Sequence, residues 1–517
     1  MANSVPGVDD RTPVLIGVGQ SVDRIEAESY HAWSGVELAV EAARGAFIDA
    51  GLDPALASGL DVLATTRTFE DTLGLPAPFG KSSNYPRSVA LRLGADPKRA
   101  VWEKAGGNTP QDLVGEFCAE IARGAADFVL LAGGEAISTV RQAQKAGAQL
   151  DFSEAPEGSV EDRGAGLEGW RDPLAARHGM ASPTLAYALA ENARRARRGE
   201  SRADYAAAMG RIFAPFLPVA RNNPYSAAAV DNVDATRLGE AHAHNRWIAD
   251  PYTLHLVARD LVNQGAAVLL ASRGRARALG VPEAAMVYLH GHARAVEKSL
   301  LARPDMGAAP SAIAACHTAL AQAELSVDAV GAFDFYSCFP IAVANAATDG
   351  LGLSPEDARG LTLTGGLPYF GGPGNGYSLH AIAEAVAFAR RDAGRFALVG
   401  ANGGYLSKYS VGLYSTVPRG WTQPDSAPLQ AALDADPGIA PLESYSGEAQ
   451  VETYSVQHDR KGPAYALVVA RTAQGERLIA RSPTEARETA QDAHENDALG
   501  RTVTVTCEDG MNTFAFA

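Results

Sequence analysis

Residues 361–416 read LTLTGGLPYFGGPGNGYSLHAIAEAVAFARRDAGRFALVGANGGYLSKYSVGLYST. A glycine-dense loop, Gly365 to Gly376, leads into a helix. The helix leads into an apolar strand, Phe396 to Val399, which ends at a second glycine loop, Ala401-Asn402-Gly403-Gly404. Glycine permits positive φ and lets a backbone approach a ligand closely. Two such loops around one helix and one strand would bring bare backbone N–H groups to a single crevice.

The same order occurs earlier in the chain. Gly106-Gly107-Asn108-Thr109-Pro110 precedes a helix, then the strand Phe128-Val129-Leu130-Leu131, then Gly133-Gly134. Phe128 lies 21 positions after Gly107, and Phe396 lies 24 after Gly372. The upstream segments also match: residues 42–67 and 314–337 each give a helix, a turn and a strand. Four elements repeated in order mean that one unit occurs twice.

Around these units the chain reads as follows. Pro13 to Gly19 is a short apolar run bounded by Pro and Gly, hence a buried strand. A helix from Gly35 to about Ala50 and a strand from Asp61 to Thr66 complete a βαβ unit. Gly17-Val18-Gly19 lacks the third glycine of a dinucleotide fingerprint, where Val22 stands. Asn108 or Thr109 is expected to cap the first buried helix, with Pro110 in its first turn. Cys118 falls on that helix's apolar face and reads as core. From about Gln142 to Asn263 the character changes to a polar, acidic loop at 151–172 and helices at 184–198 and 203–213, which reads as an insertion. Arg194, Arg195, Arg197 and Arg198 close one of these helices, as a solvated end that suits the dipole or as a phosphate contact. The pairs His242/His244 and His290/His292 have no acidic or cysteine company, and no metal site is expected. Residues 420–442 read as a Pro- and Asp-rich linker. Five short alternating runs between Val451 and Ala517 follow it and suggest a small barrel or sandwich.

With 517 residues the chain has room for about three or four domains. A net charge of −15 disfavours nucleic acid, which requires a basic footprint. Four cysteines without paired spacing form neither a disulfide framework nor a zinc site. No run approaches the roughly 18 apolar residues of a membrane span, and the N-terminus MANSVPGVDDRTP has no signal core, so a cytoplasmic protein is expected.

Together the duplicated halves, the insertion and the glycine loops resemble the thiolase superfamily over about residues 10–418. Closest are the sterol-carrier-type thiolases and type 1 thiolase-like proteins, which carry an extra C-terminal domain. The resemblance implies an α/β thiolase fold of two duplicated βαβαβ halves in layers, with an inserted helical loop domain and a small C-terminal β-barrel-like domain. The implied boundaries are 1–272 with the insert at about 142–255, then 282–418, then 425–517. Thiolases carry four catalytic loops. Counting back from Gly124 puts the nucleophilic cysteine's position on Gly107. The second loop corresponds to Tyr336-Ser337-Cys338-Phe339, with Tyr336 in place of His or Asn. The third corresponds to Gly371-Gly372-Pro373, with Gly372 in place of the base histidine. The fourth corresponds to Ala401-Asn402-Gly403, again without its cysteine.

A glycine at 107 cannot carry an acyl group, which thiolysis and Claisen condensation both need. The resemblance therefore implies a thiolase-like protein that binds an acyl-CoA or lipid-like acyl group, with coenzyme A entering only as part of that thioester. Gly107, Asn108, Gly372, Pro373, Asn402, Gly403 and Gly404 would line the ligand site. A second expectation is similar to cysteine-less thiolase-fold aldolases acting on an acyl-CoA thioester, with Tyr336, Cys338 and His380 sharing a crevice and supplying acid–base chemistry. A third is a non-catalytic scaffold whose C-terminal domain binds a partner protein.

Overall fold

A computed structural model describes residues 7–167, 170, 172–180, 182–228, 230–483 and 487–517; residues 168, 169 and 171 of the expected acidic loop fall outside these. The strands in chain order are β1 (Pro13–Val22), β2 (Val62–Thr65), β3 (Arg99–Trp102), β4 (Phe128–Ala136), β5 (Glu161–Asp162), β6 (Trp247–Ala249), β7 (Tyr252–Thr253), β8 (Asn263–Ser272), β9 (Tyr288–Val296), β10 (Val330–Phe335), β11 (Phe396–Gly403), β12 (Lys408–Ser415), β13 (Gly447–Asp459), β14 (Gly462–Arg471), β15 (Arg477–Arg481), β16 (Thr502–Glu508) and β17 (Met511–Phe516).

The first sheet has the order β1-β8-β4-β2-β3-β5, the second β10-β11-β12-β9. In both, two antiparallel pairings are followed by a parallel one: β1–β8, β8–β4, β4–β2 in the first, and β9–β12, β12–β11, β11–β10 in the second. The duplication seen in the sequence is thus a repeat of sheet order and sense. Helices Thr109–Ala122 and Tyr377–Arg391 pack against each other and against both sheets. Helix Gly35–Asp49 covers the outer face of the first sheet and helix Pro310–Ala323 that of the second. The body is five layers deep. β4 is buried at every position and β11 at nearly every one, as expected for strands covered on both faces.

Helix Gly35–Asp49 starts as its sequence prescribes, with a capping box between Ser34 and Glu37. Helix Thr109–Ala122 does not. The Asn108 amide donates to Asp112 Oδ2 at 2.8 Å instead of capping the helix, and Asn108 Oδ1 is left buried and unpartnered among the described residues. The glycine pairs also differ from expectation. Gly133 and Gly134 lie inside β4, and Gly403 is the last residue of β11. Their role is close packing: a Cβ on Gly133 would sit 2.1 Å from Thr66 Oγ1, and one on Gly134 2.3 Å from the Gly35 carbonyl oxygen.

Of the arginines closing helix Pro183–Arg198, Arg197 and Arg198 form the exposed end that was expected, but Arg194 and Arg195 do not. Arg194 is buried and pairs with Asp349 at 2.6 Å, and Arg195 is buried and pairs with Asp497 at 2.8 Å. They fasten the helix to the second half and to the C-terminal segment. Desolvation makes such cations costly unless they are paired, which is why both find carboxylates. The linker contains helix Ala427–Asp434, docked beside helix Pro310–Ala323 and β9.

Strands β13-β14-β15-β17-β16 close on themselves through β13–β14 and β13–β16 pairing, forming a five-stranded barrel. Helix Arg487–Asn496 packs on β14 and was not anticipated. The barrel is joined to the insert by shared strands, since β6 and β7 extend its sheet from β13. It is joined to the second half by Arg477, which has no exposed side-chain surface. That guanidinium donates to Glu452 at 2.6 Å and to the carbonyls of Leu301 at 2.7 Å and Pro304 at 3.2 Å.

Arg477→Ala leaves these carbonyls without their donor and leaves Glu452 with Arg471 alone. A loss of about 3–5 kcal/mol is expected, the range for removing one partner of a buried pair. Arg477→Lys should recover little, because a point charge cannot reproduce the fork. Denaturant unfolding of the variants measures both.

Candidate functional site

A cavity of about 800 Å³ opens between the two halves and the insert. Gly107, Tyr336, Cys338, Asn402, Gly403 and Gly404 line one part of it. Gly372, Gly374, Asn375, Glu135 and Glu70 line another. Tyr187, at the start of helix Pro183–Arg198, contributes from the insert. Leu73, Leu75, Pro76, Pro78 and Phe152 make much of the wall apolar.

The loops are fixed by side chains from the opposite half. Asn375 Oδ1 accepts from Gly106 N at 2.9 Å, and its amide donates to the Arg67 carbonyl at 2.6 Å and to Thr72 Oγ1 at 3.1 Å. Ser378 donates to the Gly107 carbonyl at 2.5 Å. Gly107 is needed for space. A Cβ there would lie 2.4 Å from Tyr336 Cε2 and 2.5 Å from the Asn402 carbonyl oxygen. The Tyr336 ring therefore stands where a side chain on residue 107 would begin. It packs edge-on against Tyr377 with centroids 5.3 Å apart. Burial raises its pKa well above the ordinary tyrosine value, with a further contribution from Cys338.

Cys338 accepts from Asn402 Nδ2 at 3.8 Å. Asn402 Nδ2 also donates to Tyr187 Oη at 2.7 Å. Burial pushes the Cys338 thiol up to about 12, so it is protonated at neutral pH and a poor nucleophile. His380 does not join it. The histidine is buried on helix Tyr377–Arg391, its Nδ1 pairs with Gln20 Oε1 at 2.7 Å, and its ring packs against Phe370. Burial lowers its pKa to about 3. Of the proposed catalytic trio, Tyr336 and Cys338 meet at the cavity, whereas His380 is absent from its lining. The helical period explains this, because Tyr377 and His380 leave the loop on a face directed into the core. Among the expected ligand-contacting residues, Gly107, Gly372, Asn402, Gly403 and Gly404 line the cavity. Pro373 does not, and Asn108 faces a separate groove of about 910 Å³. His290 and His292 are each tied to a backbone carbonyl, of Val417 and Val411.

Sequence reasoning missed Glu135. It lies at the cavity on the otherwise apolar β4, and its Oε1 accepts from Phe69 N at 2.7 Å. Gly374, at φ +52°, packs so closely that a Cβ would meet this oxygen at 2.1 Å. Burial, then the nearby charges of Glu70, Asp71 and Asp260, push the Glu135 carboxyl up to about 8. Burial and Asp71 raise Glu70 to about 7. A carboxylate in a strand with no other charged residue was the available signal. Asn375 and Tyr187 were also missed, since their roles depend on contacts across halves.

A family profile described as "Thiolase-like protein type 1 additional C-terminal domain" matches residues 428–510. No curated protein matches the chain. Among solved structures, the human mitochondrial 3-ketoacyl-CoA thiolase in complex with CoA has 16% identity and a TM-score of 0.55, covering 78% of this chain and 98% of that one. The Ltp2-ChsH2(DUF35) aldolase has 20% identity and a TM-score of 0.56, covering 79% and 98%. These two show the fold alone. The monomeric SCP2-thiolase-like protein type 1 from Mycobacterium smegmatis has 43% identity and a TM-score of 0.84, covering 99% of this chain and 100% of that one. The chain belongs to the SCP2-thiolase-like proteins of type 1, a branch of the thiolase superfamily with an added C-terminal domain.

Proposed function

We propose that the protein binds an acyl thioester, of the acyl-CoA class, in the cavity between its halves, without the covalent chemistry of a thiolase. The observation that carries this reading is the Tyr336 ring set against Gly107. Thiolysis requires an atom at that position to hold the acyl group. Here the position has neither the atom nor the room. Cys338, the one thiol at the cavity, is held protonated, and His380 is bound to Gln20 elsewhere. The apolar wall suits an acyl chain, and exposed Arg141 at the same cavity suits an anionic headgroup. The fold relative that binds CoA is consistent with that class.

A second reading has one observation in its favour. Glu135 holds a proton at neutral pH and faces the cavity with Tyr336. Cleavage of a β-hydroxyacyl thioester passes the β-hydroxyl proton to a base as the Cα–Cβ bond breaks, and a proton then returns to Cα of the enolate. Glu70, raised only to about 7, would be the base, and protonated Glu135 the acid, with the Tyr336 hydroxyl as a hydrogen-bond donor.

Three outcomes are expected. Calorimetry with a saturated acyl-CoA should show binding, the ligand should be recovered intact, and acetoacetyl-CoA thiolysis should stay at background. Robust thiolysis abolished by Cys338→Ala would overturn the first reading, and cleavage of a β-hydroxyacyl-CoA abolished by Glu135→Gln would establish the second.

Gly107→Ala should destabilise the fold by about 1–3 kcal/mol, the usual cost of overpacking. Combining it with Tyr336→Ala should give a clearly non-additive total, since the second change vacates the space the first one needs. Additive losses in a double-mutant cycle would mean that the ring and residue 107 do not compete.

Glu135 also sets a pH dependence. Its carboxyl keeps its proton in the folded protein up to about pH 8, while the unfolded chain loses it near the ordinary glutamate value. Stability therefore falls as pH rises through that window. Relative to Glu135→Gln, the wild type should lose on the order of 2 kcal/mol between about pH 6 and pH 9. Unfolding curves that stay parallel across this range would assign Glu135 an ordinary carboxyl.

A further inference from the structure

Where the insert meets the barrel, three ligand-type side chains converge far from the cavity. Asp250 follows β6 and is 1% exposed, His458 is on β13, and His494 is on helix Arg487–Asn496. His458 Nε2 lies 2.8 Å from Asp250 Oδ1, and His494 Nδ1 lies 2.8 Å from Asp250 Oδ2. One donor atom from each residue can be chosen so that all lie within 4.8 Å of one another. None of the three lines the cavity.

We infer that Asp250, His458 and His494 form a site for a divalent transition metal that ties the inserted segment to the C-terminal barrel. The geometry argues for a carboxylate that offers both oxygens, with one imidazole beside each. Metal–ligand bonds of about 2.1 Å at tetrahedral angles place neighbouring donors roughly 3.4 Å apart, so each 2.8 Å pair needs to open only a little to admit the ion. Two imidazoles and one carboxylate are the donor set of zinc, cobalt, nickel or iron. Magnesium and calcium prefer oxygen donors alone.

Access is available on one side. The His494 side chain is 19% exposed, against 3% for His458 and 1% for Asp250, so solvent can supply the remaining ligands. The Trp247 ring walls the opposite part, stacked over His458 at 6.1 Å and edge-on to His494 at 5.5 Å. Arg202, 3.7 Å from Asp250 Oδ2, works against a cation there and must turn outward when the metal enters. With the metal bound, each imidazole carries its proton on its other nitrogen, and the two hydrogen bonds to Asp250 are replaced by contacts from both imidazoles and the carboxylate. Sequence spacing gave no hint, because His458 and His494 stand 208 and 244 positions after Asp250.

The test uses the full-length protein, stripped with a chelator and titrated with Co²⁺ and then Zn²⁺. One equivalent should bind, with a cobalt d–d absorption band and quenching of tryptophan fluorescence that disappears in Trp247→Phe while the absorption band persists. Zn²⁺ should raise the unfolding temperature. His494→Ala, at the solvent-facing rim, should leave the fold intact and weaken binding by roughly 10–100-fold or more. Asp250→Asn should do the same, and if it does not fold, His494→Ala still decides. Absence of saturable binding, or equal binding by His494→Ala, would overturn the inference and leave the three residues as a hydrogen-bonded cluster only.

Discussion

Asn375 holds the centre of this molecule together. It sits in the glycine loop of the second half, yet its carboxamide bonds Gly106 N, the Arg67 carbonyl and Thr72 Oγ1, all in the first half. Backbone polar groups buried away from water need such partners, and here one side chain serves two of them and a threonine hydroxyl. The two halves share the sheet order β1-β8-β4-β2 and β9-β12-β11-β10 but have separate sheets, so their loops acquire a common geometry through the packing of the two buried helices and through bonds of this kind. Without Asn375 and the Ser378 bond to the Gly107 carbonyl, nothing in the paired strands would set the distance between residue 107 and the segment that carries Tyr336.

That distance is short enough to change the chemistry. A ring and a nucleophile's side chain cannot share the volume above Gly107, and the ring occupies it. The thiol that remains is buried against Asn402 and Tyr187, and burial keeps its proton on sulphur. The cavity also holds two oxygen acids: Glu135, whose proton is retained because burial and neighbouring acids make the charged form costly, and, in another part of the lining, the Tyr336 hydroxyl.

Much of this was legible in the chain. The duplication was visible because glycine spacing and apolar runs recur at nearly the same intervals, and sheet topology preserved that order. The barrel strands were visible because β16, β17 and the start of β13 alternate along a half-buried surface, while β14 and β15 are short continuous apolar runs. The glycine pairs were legible as close approaches but not as strand residues, since a close approach to a helix and a loop around a ligand need the same absence of a side chain. His380 misled because its position after the loop suggested the crevice, whereas helical rotation turned it into the core toward Gln20. The arginines at 194 and 195 misled because sequence reveals a helix end but not the carboxylates, Asp349 and Asp497, waiting on other segments. Glu135 and the Asp250 cluster show the same limit: their meaning comes from partners that only tertiary contacts supply.

Sharing a sheet between the insert and the barrel has a consequence for biosynthesis. β6 and β7 pair with β13, and β13 begins only at Gly447. At about 5–20 residues per second, the ribosome takes roughly 10–40 s to deliver that partner after β7 has emerged. Throughout this interval the hairpin presents unpaired edge groups of the kind that recruit foreign strands. The nascent chain therefore has to shelter a half-built edge, and the time at which it is most exposed to misassembly is set by the order of segments along the gene rather than by the stability of the finished protein.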